Sequence, residues 1–295
     1  MKRIFLLTIF LLSVSVFTYA QRDWSKMQVE TTELAPGIYR LFVGEAVAVV
    51  VFEGEDGILV IDAAYEQTTT QLMEAIRNIS DKPIKYLVNT HLHADHTGGN
   101  GVVGKDATII AHHSVTEWLT SDRQRGNNVP GPAPANALPD LTFEGDMKLY
   151  FNDAVINMKH MPEAHTRGDV ILHFAEANVL VLGDLLFAGF FPFIDVSQGG
   201  NPYGLINHLH WVVEHFDSNT ILVGGHGPVF NMNELRTYIN RLEGSISAIR
   251  IAKSAGMSPD EMKEQRILSE WESFGQYFIT EDRWIDIIYP FVESE

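Results

Sequence analysis

Short apolar, β-branched runs recur along the first half of the chain, and each is followed by a polar or glycine-containing break. Runs of this length and composition are typical of strands buried on at least one face. They predict strands at 38–43, 46–52, 57–62, 84–90 and 107–111. Between them, residues 66–79 place Leu72, Ile76 and Ile79 on one face at helical spacing, which predicts a helix.

The second half of the chain repeats this order of strands followed by helices. The pattern predicts strands at 147–152, 154–161, 170–174, 179–182 and 220–223, and a helix at 205–215. Residues 233–295 follow a helical pattern in which Ile246, Ile249 and Ile251 are expected to pack against the rest of the fold. Contact of this C-terminal part with a substrate is the alternative. The residues alone indicate an α/β or α+β fold without a clear linker.

The first twenty residues have the composition of a secretory signal peptide. Lys2 and Arg3 precede an apolar stretch at 4–17, and the small-residue site that ends at Ala20 predicts cleavage before Gln21. The expected mature protein, residues 21–295, is then periplasmic or secreted and has no membrane contact after cleavage. The alternative is an uncleaved anchor, for which the apolar stretch is short.

Charge and cysteine content narrow the classes of function. The net charge of −17 becomes −19 without Lys2 and Arg3, because residues 1–20 contain no acidic residue. Nucleic-acid binding needs a positive surface, so a nucleic-acid partner is not expected, and an anionic membrane surface is equally disfavoured. The chain has no cysteine, so any metal ligand must be His, Asp, Glu or water.

Three imidazoles and a carboxylate lie close together in the segment His91-Leu92-His93-Ala94-Asp95-His96, directly after the predicted strand 84–90. Imidazole nitrogen and carboxylate oxygen are ligands that zinc accepts at about 2.0–2.2 Å. Crowding so many titratable groups at a strand end is costly unless a cation organises them. Since His165, Asp184 and His226 also follow apolar runs, the pattern predicts a metal site rather than a His-rich surface loop.

This segment resembles the His-x-His-x-Asp-His signature of the metallo-β-lactamase superfamily, whose members place further ligands in the order of His165, Asp184 and His226. The resemblance covers nearly all of residues 21–295. It implies a four-layer αββα sandwich, in which two mixed β-sheets face each other and helices flank them. It also implies a dinuclear site: His91, His93 and His165 for the first metal, Asp95, His96 and His226 for the second, and Asp184 bridging the two.

Two of these positions bear on the identity of the metal. Many secreted metallo-β-lactamases have a Cys in the second site, whereas this chain has Asp184 there. Oxygen-reducing di-iron members of the superfamily commonly have a Glu at the position of His93, so His93 favours zinc and hydrolysis. Nitrogen and oxygen ligands fit two zinc ions per chain, with iron or manganese as alternatives.

The spacing of the ligands suggests how such a site would work. Side chains alternate in an extended segment, so His91 and His93 point the same way and can share one ion. Two dications about 3.5–4 Å apart lower the pKa of a shared water toward 7, and the resulting hydroxide attacks a carbonyl group. Asp95 is the candidate catalytic residue that orients this nucleophile and relays its proton.

Three hypotheses for the function follow. The first is an exported zinc hydrolase that cleaves an amide, ester or lactone bond of a small molecule, with β-lactams as the leading substrates. The second is a thioesterase similar to glyoxalase II, whose metal set includes an Asp like Asp184; the expected export counts against it. The third is a non-enzymatic periplasmic protein that binds a metal or cofactor, although a complete ligand set counts against this.

Several residues outside the ligand set have expected roles. Asp62 ends a predicted strand, near the place where the family has an Asp that supports a ligand, and is therefore a candidate to hold the second ring nitrogen of a metal ligand. Arg167 and Asp169 are expected to form a structural ion pair. Two loops are expected near the site: the Pro/Gly-rich stretch 121–140 as a covering flap, and the aromatic stretch 187–204 as an apolar wall, with Asn201 or Tyr203 beside the metals.

Overall fold

Twelve strands form two sheets in the residues that the computed structural model describes, 23–122 and 131–293. The predicted signal peptide and residues 123–130 of the predicted flap lie outside this range. The first sheet has the order β1-β2-β3-β4-β5-β6-β7, and its strands are Val29–Ala35, Ile38–Val43, Val47–Gly54, Gly57–Ile61, Ile84–Asn89, Thr108–His112 and Leu141–Phe143. The second has the order β12-β11-β10-β9-β8, and its strands β8 to β12 are Met147–Phe151, Ala154–Met161, Asp169–Phe174, Val179–Phe187 and Ile221–His226.

Helices connect and cover these strands. In the described residues, α1 to α8 are Thr69–Ile79, Ala94–Thr97, Asn100–Val103, His113–Thr120, Pro202–His215, Met232–Ser254, Pro259–Glu264 and Glu281–Ile288. Short 3-10 helices lie at Trp24–Lys26, Glu66–Thr68, Ala135–Ala137, Val196–Gln198 and Ser269–Gly275. None of these helices combines the length and the apolar composition that crossing a bilayer would require.

Both sheets are mixed, and apolar side chains fill the space between them. Ile38, Val50 and Leu59 of the first sheet pack in one cluster with Leu172 and Phe174 of the second. On the outer faces, β3 and β4 pack against α1, and the second sheet packs against α5, α6 and α8. The predicted αββα sandwich is therefore confirmed.

The parallel strands determine where polar side chains collect. In the first sheet β4, β5 and β6 run parallel, and in the second sheet β11 and β12 run parallel. Parallel neighbours bring their carboxyl ends to one edge of a sheet, where ligands bind in open α/β sheets. The segment 91–96 follows β5, and His226 ends β12, so both reach the same edge region.

Strand β11 differs from the sequence prediction because it continues beyond residue 182 to Phe187. Its pairing with β12 shifts register around Gly183, which has a positive φ of 51°. A side chain at this position would lie 2.8 Å from Thr90 Oγ1, so only glycine lets the strand pass the segment after β5 this closely. As a result Asp184 lies within the strand, not beyond its end.

The C-terminal part is helical as predicted, with one error. Asn231 and Glu234 form a capping box that begins α6. Ile246 and Ile249 are buried against the second sheet, but Ile251 is 68% exposed. Positions 246 and 249 share a helix face, whereas position 251 is only two residues beyond Ile249 and therefore points away. The expectation that Ile251 packs was wrong.

Candidate metal centre

Seven side chains that could ligate metal converge at the edge where β5, β11 and β12 end or bend. Their ligand atoms form two groups, each within 4.8 Å: His91, His93, His165 and Asp184 in the first, and Asp95, His96 and His226 in the second. These are the seven residues that the sequence analysis assigned to the two metals. The turn from β5 into α2 presents His91, His93, Asp95 and His96. Loops or strands far along the chain supply the other three residues.

The three imidazole rings of the first group face one another with their nitrogens. His93 Nδ1 lies 3.1 Å from His91 Nε2 and 2.8 Å from His165 Nε2. Burial lowers the pKa of His165 to about 4 and also lowers that of His91, where nearby His96 adds to the effect. Neutral imidazole is the form that binds a metal ion, so His91 and His165 are held in the ligating state.

The second group combines one carboxylate with two rings. Asp95 Oδ2 lies 3.4 Å from His226 Nε2 and 3.7 Å from His96 Nε2. Burial lowers the pKa of both rings, but the nearby carboxylates together outweigh it, so both values are raised: Asp184, Asp62 and Asp95 act on His96, and Asp184 and Asp95 act on His226. A potential that favours a proton on two buried rings also favours a metal cation at the same place.

Asp184 lies between the two groups. Its Oδ2 is 3.6 Å from His91 Nε2, 3.4 Å from His165 Nε2 and 3.2 Å from His226 Nε2. Its Oδ1 is 3.1 Å from His96 Nε2. One carboxylate therefore contacts rings of both groups, which is the arrangement that a ligand bridging two ions requires.

Each ring nitrogen that points away from the centre donates a hydrogen bond. His96 Nδ1 donates to Asp62 Oδ2 at 2.7 Å, and His93 Nε2 donates to Asp195 Oδ2 at 2.9 Å. The backbone oxygens of Phe193 and Ala46 accept from His165 Nδ1 and His226 Nδ1, each at 2.7 Å. These bonds fix the tautomers of the neutral rings, so the opposite nitrogens are the ones that a metal ion at the centre would bind.

Asp62 supports both groups, as the sequence analysis suggested for one ring. Besides His96, it accepts hydrogen bonds from the backbone N and from Oγ1 of Thr90, both at 2.7 Å. Because Thr90 Oγ1 donates to Asp62, it accepts from His91 Nδ1 at 3.1 Å. One buried carboxylate thus orients His96 directly and His91 through Thr90.

Two buried atoms of the cluster show that a cation fits it. His96 Nε2 and Asp184 Oδ1 are buried and have no hydrogen-bond partner among the described residues, although they lie 3.1 Å apart. Such atoms are costly unless something satisfies them. The donor set, five imidazoles and two carboxylates, is one that zinc accepts. The residues present therefore fit a pair of metal ions.

A cavity of about 530 Å³ opens over the centre. Four of the seven ligand candidates, His93, Asp95, Asp184 and His226, form part of its wall. The remaining wall residues are mostly aromatic, and they come from separate parts of the chain: Ala46, Tyr65, Ala94, Trp118, Phe187, Phe193, Gln276, Tyr277 and Phe278. The centre is thus accessible to a small molecule from one side.

The stretch 187–204 contributes to this wall, but not through the polar residues expected. Phe187 and Phe193 line the cavity. Asn201 instead caps α5 by accepting from the backbone N of Tyr203 and Gly204, and the Tyr203 hydroxyl accepts from Arg250. The expectation of Asn201 or Tyr203 beside the metals was wrong, because Pro202 begins a helix that leads away from the site.

One contributor to the site, Asp195, was missed from the sequence, and the contribution of the C-terminal part was predicted only as an alternative. Asp195 lies 102 positions after the ring that it orients, and its only sequence signal is an acidic residue at the end of an aromatic stretch. Residues 276–278 lie beyond all the ligands and reach the cavity through the packing of the C-terminal helices. No local pattern indicates either contact.

The predicted ion pair between Arg167 and Asp169 is absent from the described residues. Arg167 Nη2 lies 2.8 Å from Glu117 Oε2 on α4. Asp169 accepts hydrogen bonds from the backbone N and Oγ1 of Thr166, and burial raises its pKa to about 8. Both residues stabilise the loop that carries His165, but with different partners.

Comparisons with known proteins agree with this geometry. The model of the metallo-beta-lactamase superfamily matches residues 43–226, more than half of the chain. The chain therefore belongs to the metallo-beta-lactamase superfamily. The matched range contains all seven candidate ligands and ends at His226.

Three curated relatives give an idea of the range of functions. The Bacillus subtilis protein "Probable metallo-hydrolase YqgX" is 28% identical over 47% of this chain and 66% of its own length. The human "Acyl-coenzyme A thioesterase MBLAC2" is 26% identical over 42% of this chain and 49% of its own. The Bacillus cereus "Metallo-beta-lactamase type 2" is 24% identical over 64% of this chain and 70% of its own. The chain thus spans 40–66% of the length of the first three curated relatives that it matches.

A solved structure shows the same fold. The "Metallo-beta-lactamase from Pontibacter korlensis" superposes with a TM-score of 0.60 and 18% sequence identity, over 73% of this chain and 99% of the other. At this identity the likeness concerns the fold alone. The family model and the relatives together place the chain in the superfamily, and its His/Asp cluster could hold metal.

Proposed function

We propose that this protein is an exported dinuclear zinc hydrolase that opens an amide, ester or thioester bond of a small molecule. The observation that carries the proposal is the position of Asp184 between two groups of ring nitrogens, next to an open cavity. When bound there, a pair of zinc ions would supply an acidified water as nucleophile and would polarise the carbonyl oxygen of the substrate.

The protein's own residues would contribute orientation and proton transfer. His91, His93 and His165 would hold one ion, Asp95, His96 and His226 the other, and Asp184 would contact both. Asp95 lines the cavity with its side chain 16% exposed, so its carboxylate can accept the proton of the nucleophile and pass it to the leaving group. The aromatic wall would exclude bulk water from the substrate.

The β-lactam ring amide is the first substrate class to test. The cavity is large enough for a small bicyclic molecule, and the chain resembles metallo-beta-lactamases in sequence and in fold. Export, proposed from the composition of residues 1–20, would deliver the enzyme to the compartment where β-lactams act. Fold alone does not decide the substrate.

A thioester is the second candidate, and a specific observation favours it. The cavity wall is largely aromatic and contains no Lys or Arg among the described residues, so it suits an uncharged acyl group better than a carboxylate. One relative is described as an acyl-coenzyme A thioesterase. The net charge of −17 disfavours a carrier with several phosphates, so a small thioester is the better candidate.

Metal content and turnover test the proposal together. Residues 21–295 would be loaded with zinc, analysed for bound metal and assayed with a chromogenic cephalosporin, a small thioester and a lactone. We expect about two zinc ions per chain and turnover of at least one of the three. One ion at saturating zinc, or no turnover of any of them by the two-zinc protein, would contradict it.

A further inference from the structure

Aromatic rings make up much of the wall of the cavity over the candidate metal centre. Six of the residues that line the cavity are aromatic: Tyr65, Trp118, Phe187, Phe193, Tyr277 and Phe278. Among the described residues the wall contains no Lys or Arg, and its charged or titratable members apart from tyrosine are all candidate metal ligands. Beyond the reaction centre itself, the wall therefore offers contact area rather than charge.

Two of these rings, Tyr277 and Phe278, come from the C-terminal part of the chain. The Tyr277 ring is 5.9 Å from that of His226, and the Phe278 ring is 5.7 Å from that of Phe193. Phe193 in turn lies 5.6 Å from the His93 ring. Tyr277 thus lies next to a ligand of the second group, and Phe278 reaches a ligand of the first group only through Phe193.

The segment that carries them is fixed to the fold on both sides. Before it, the Phe274 carbonyl accepts from the backbone N of Phe191, and the Phe274 ring packs on Tyr238. After it, Arg283 Nη1 donates to the Phe278 carbonyl at 2.8 Å, and the guanidinium lies 4.3 Å from the centre of the Phe278 ring. The two rings are held in place before any ligand binds, which reduces the entropy lost on binding.

Phe278 is nevertheless 52% exposed. An exposed aromatic ring on the rim of a cavity gains free energy when an apolar group covers it. Residues 276–278 also lie outside the range 43–226 that matches the superfamily, so the ligand set does not dictate this wall.

We infer that Tyr277 and Phe278 determine substrate specificity by binding an uncharged aryl or alkyl group next to the bond that is cleaved. This inference rests on the proposed hydrolase function and adds the chemical class of the substrate. A carboxylate in the same position would lose its hydration without gaining a cation from the described wall, and the nearby Arg283 guanidinium is already engaged by the carbonyl and ring of Phe278, so a negatively charged group is selected against.

Binding of simple carboxylates tests this preference apart from catalysis. Hexanoate and adipate have six carbons each, and adipate adds a second carboxylate where hexanoate has a methyl group. Calorimetric titration of the zinc-loaded protein should give a Kd for hexanoate about tenfold below those of adipate and acetate. Having two equivalent ends favours adipate by a factor of about two, so the expected preference runs against this statistical advantage.

Three variants connect the preference to the C-terminal segment. Tyr277→Ala and Phe278→Ala should each raise the Kd of hexanoate about fivefold or more and leave that of acetate within about twofold, with unchanged zinc content. Tyr150→Ala is the matched control, because Tyr150 is 72% exposed on β8, away from the cavity. Since Phe278 is half exposed, its replacement should not prevent folding.

Hydrolysis of acetyl, hexanoyl and adipoyl thioesters of N-acetylcysteamine separates this inference from the proposed function. If the hexanoyl thioester has a higher kcat/KM than the other two and Phe278→Ala removes this preference, the result would support both the inference and the proposed function. Hydrolysis without any preference, together with equal Kd values for hexanoate and adipate, would overturn the inference and leave the hydrolase in place. Selective binding of hexanoate without hydrolysis of any thioester would support the role of Tyr277 and Phe278 in specificity and would contradict the proposed thioesterase activity.

Discussion

Asp195 accepts a hydrogen bond from His93 Nε2 at 2.9 Å, which turns the Nδ1 atom of the same ring toward His91 and His165. Burial alone would raise the pKa of Asp195, but hydrogen bonds from His93 and Ser197 outweigh it and hold the value below its usual range. The carboxylate is therefore ionised and fixes both the tautomer and the orientation of this ring.

Removal of this carboxylate should weaken the first metal site. We expect Asp195→Ala to lower zinc affinity by about 10–100-fold, the usual effect of losing a hydrogen-bond partner of a ligand. Competition with a chelator of known affinity would measure it. Ser197→Ala is the matched control, since it removes one hydrogen bond to Asp195 without contacting His93. Equal zinc affinity in Asp195→Ala and the wild type would show that His93 is oriented by its packing instead.

Asp184 should matter for both ions. Asp184→Asn keeps the size of the side chain but removes the charge that contacts His91, His96, His165 and His226. We expect elemental analysis to give about one zinc ion per chain in place of two at the same free zinc concentration. Asp146→Asn serves as the control, because the Asp146 side chain is exposed and the residue directly precedes β8 of the second sheet. Two ions bound with wild-type affinity in Asp184→Asn would refute the bridging role.

Replacement of Asp95 should lower the rate of the chemical step more than it weakens substrate binding. If its carboxylate moves the proton of the nucleophile, Asp95→Asn lowers kcat by about 10²–10⁴-fold, the usual scale for a lost acid–base group. KM should change far less. Because Asp95 also belongs to the second group of ligands, rates must be compared at equal zinc content. A fully loaded variant with a wild-type kcat would exclude Asp95 from proton transfer.

The sequence was most informative where the chemistry is local or follows a strand end. The segment 91–96 contains four candidate ligands within six residues, so a metal site could be predicted from these residues. Asp62 directly follows β4, and its role could be predicted from that position together with the family resemblance. The αββα sandwich was predicted through the resemblance, because the alternation of strands and helices by itself indicates only a mixed fold.

Contacts between distant parts of the chain could not be predicted. Arg167 pairs with Glu117, 50 positions earlier, rather than with its neighbour Asp169. Strand β1 escaped detection because its residues Val29–Ala35 are mostly polar and exposed, so its backbone pairing with β2 has no hydrophobic signal. The reach of residues 276–278 into the cavity depends on how α6 and α8 pack on the second sheet.

His112, which the sequence analysis did not assign to the metal set, should make the fold sensitive to acid. Its Nδ1 accepts a hydrogen bond from the backbone N of Ser114 at the start of α4, and its ring stacks on that of His160 at 4.0 Å. Burial and the nearby His160 lower the pKa of His112 to about 4. Protonation would remove the acceptor that caps the helix and would place charge beside a second ring.

The sign of the pH effect follows from this shift. The unfolded chain binds a proton at His112 below about pH 6.5, whereas the folded protein does so only near pH 4. Between these values the unfolded state binds more protons, so this residue makes stability fall as the pH decreases from 6.5 to 4. Above pH 6.5 both states are neutral at His112 and the residue has no such effect.

His112→Asn should reduce this loss, because asparagine also caps helices but does not titrate. We expect the fall in Tm between pH 7 and pH 4.5 to be smaller than in the wild type by about 2–4 °C, which corresponds to about 1 kcal/mol in a protein of this size class. Thermal unfolding at several pH values, at constant ionic strength and zinc content, measures it. His113→Asn is the control, since that neighbouring ring is 47% exposed. Parallel Tm curves for His112→Asn and the wild type would show that other groups cause the acid sensitivity.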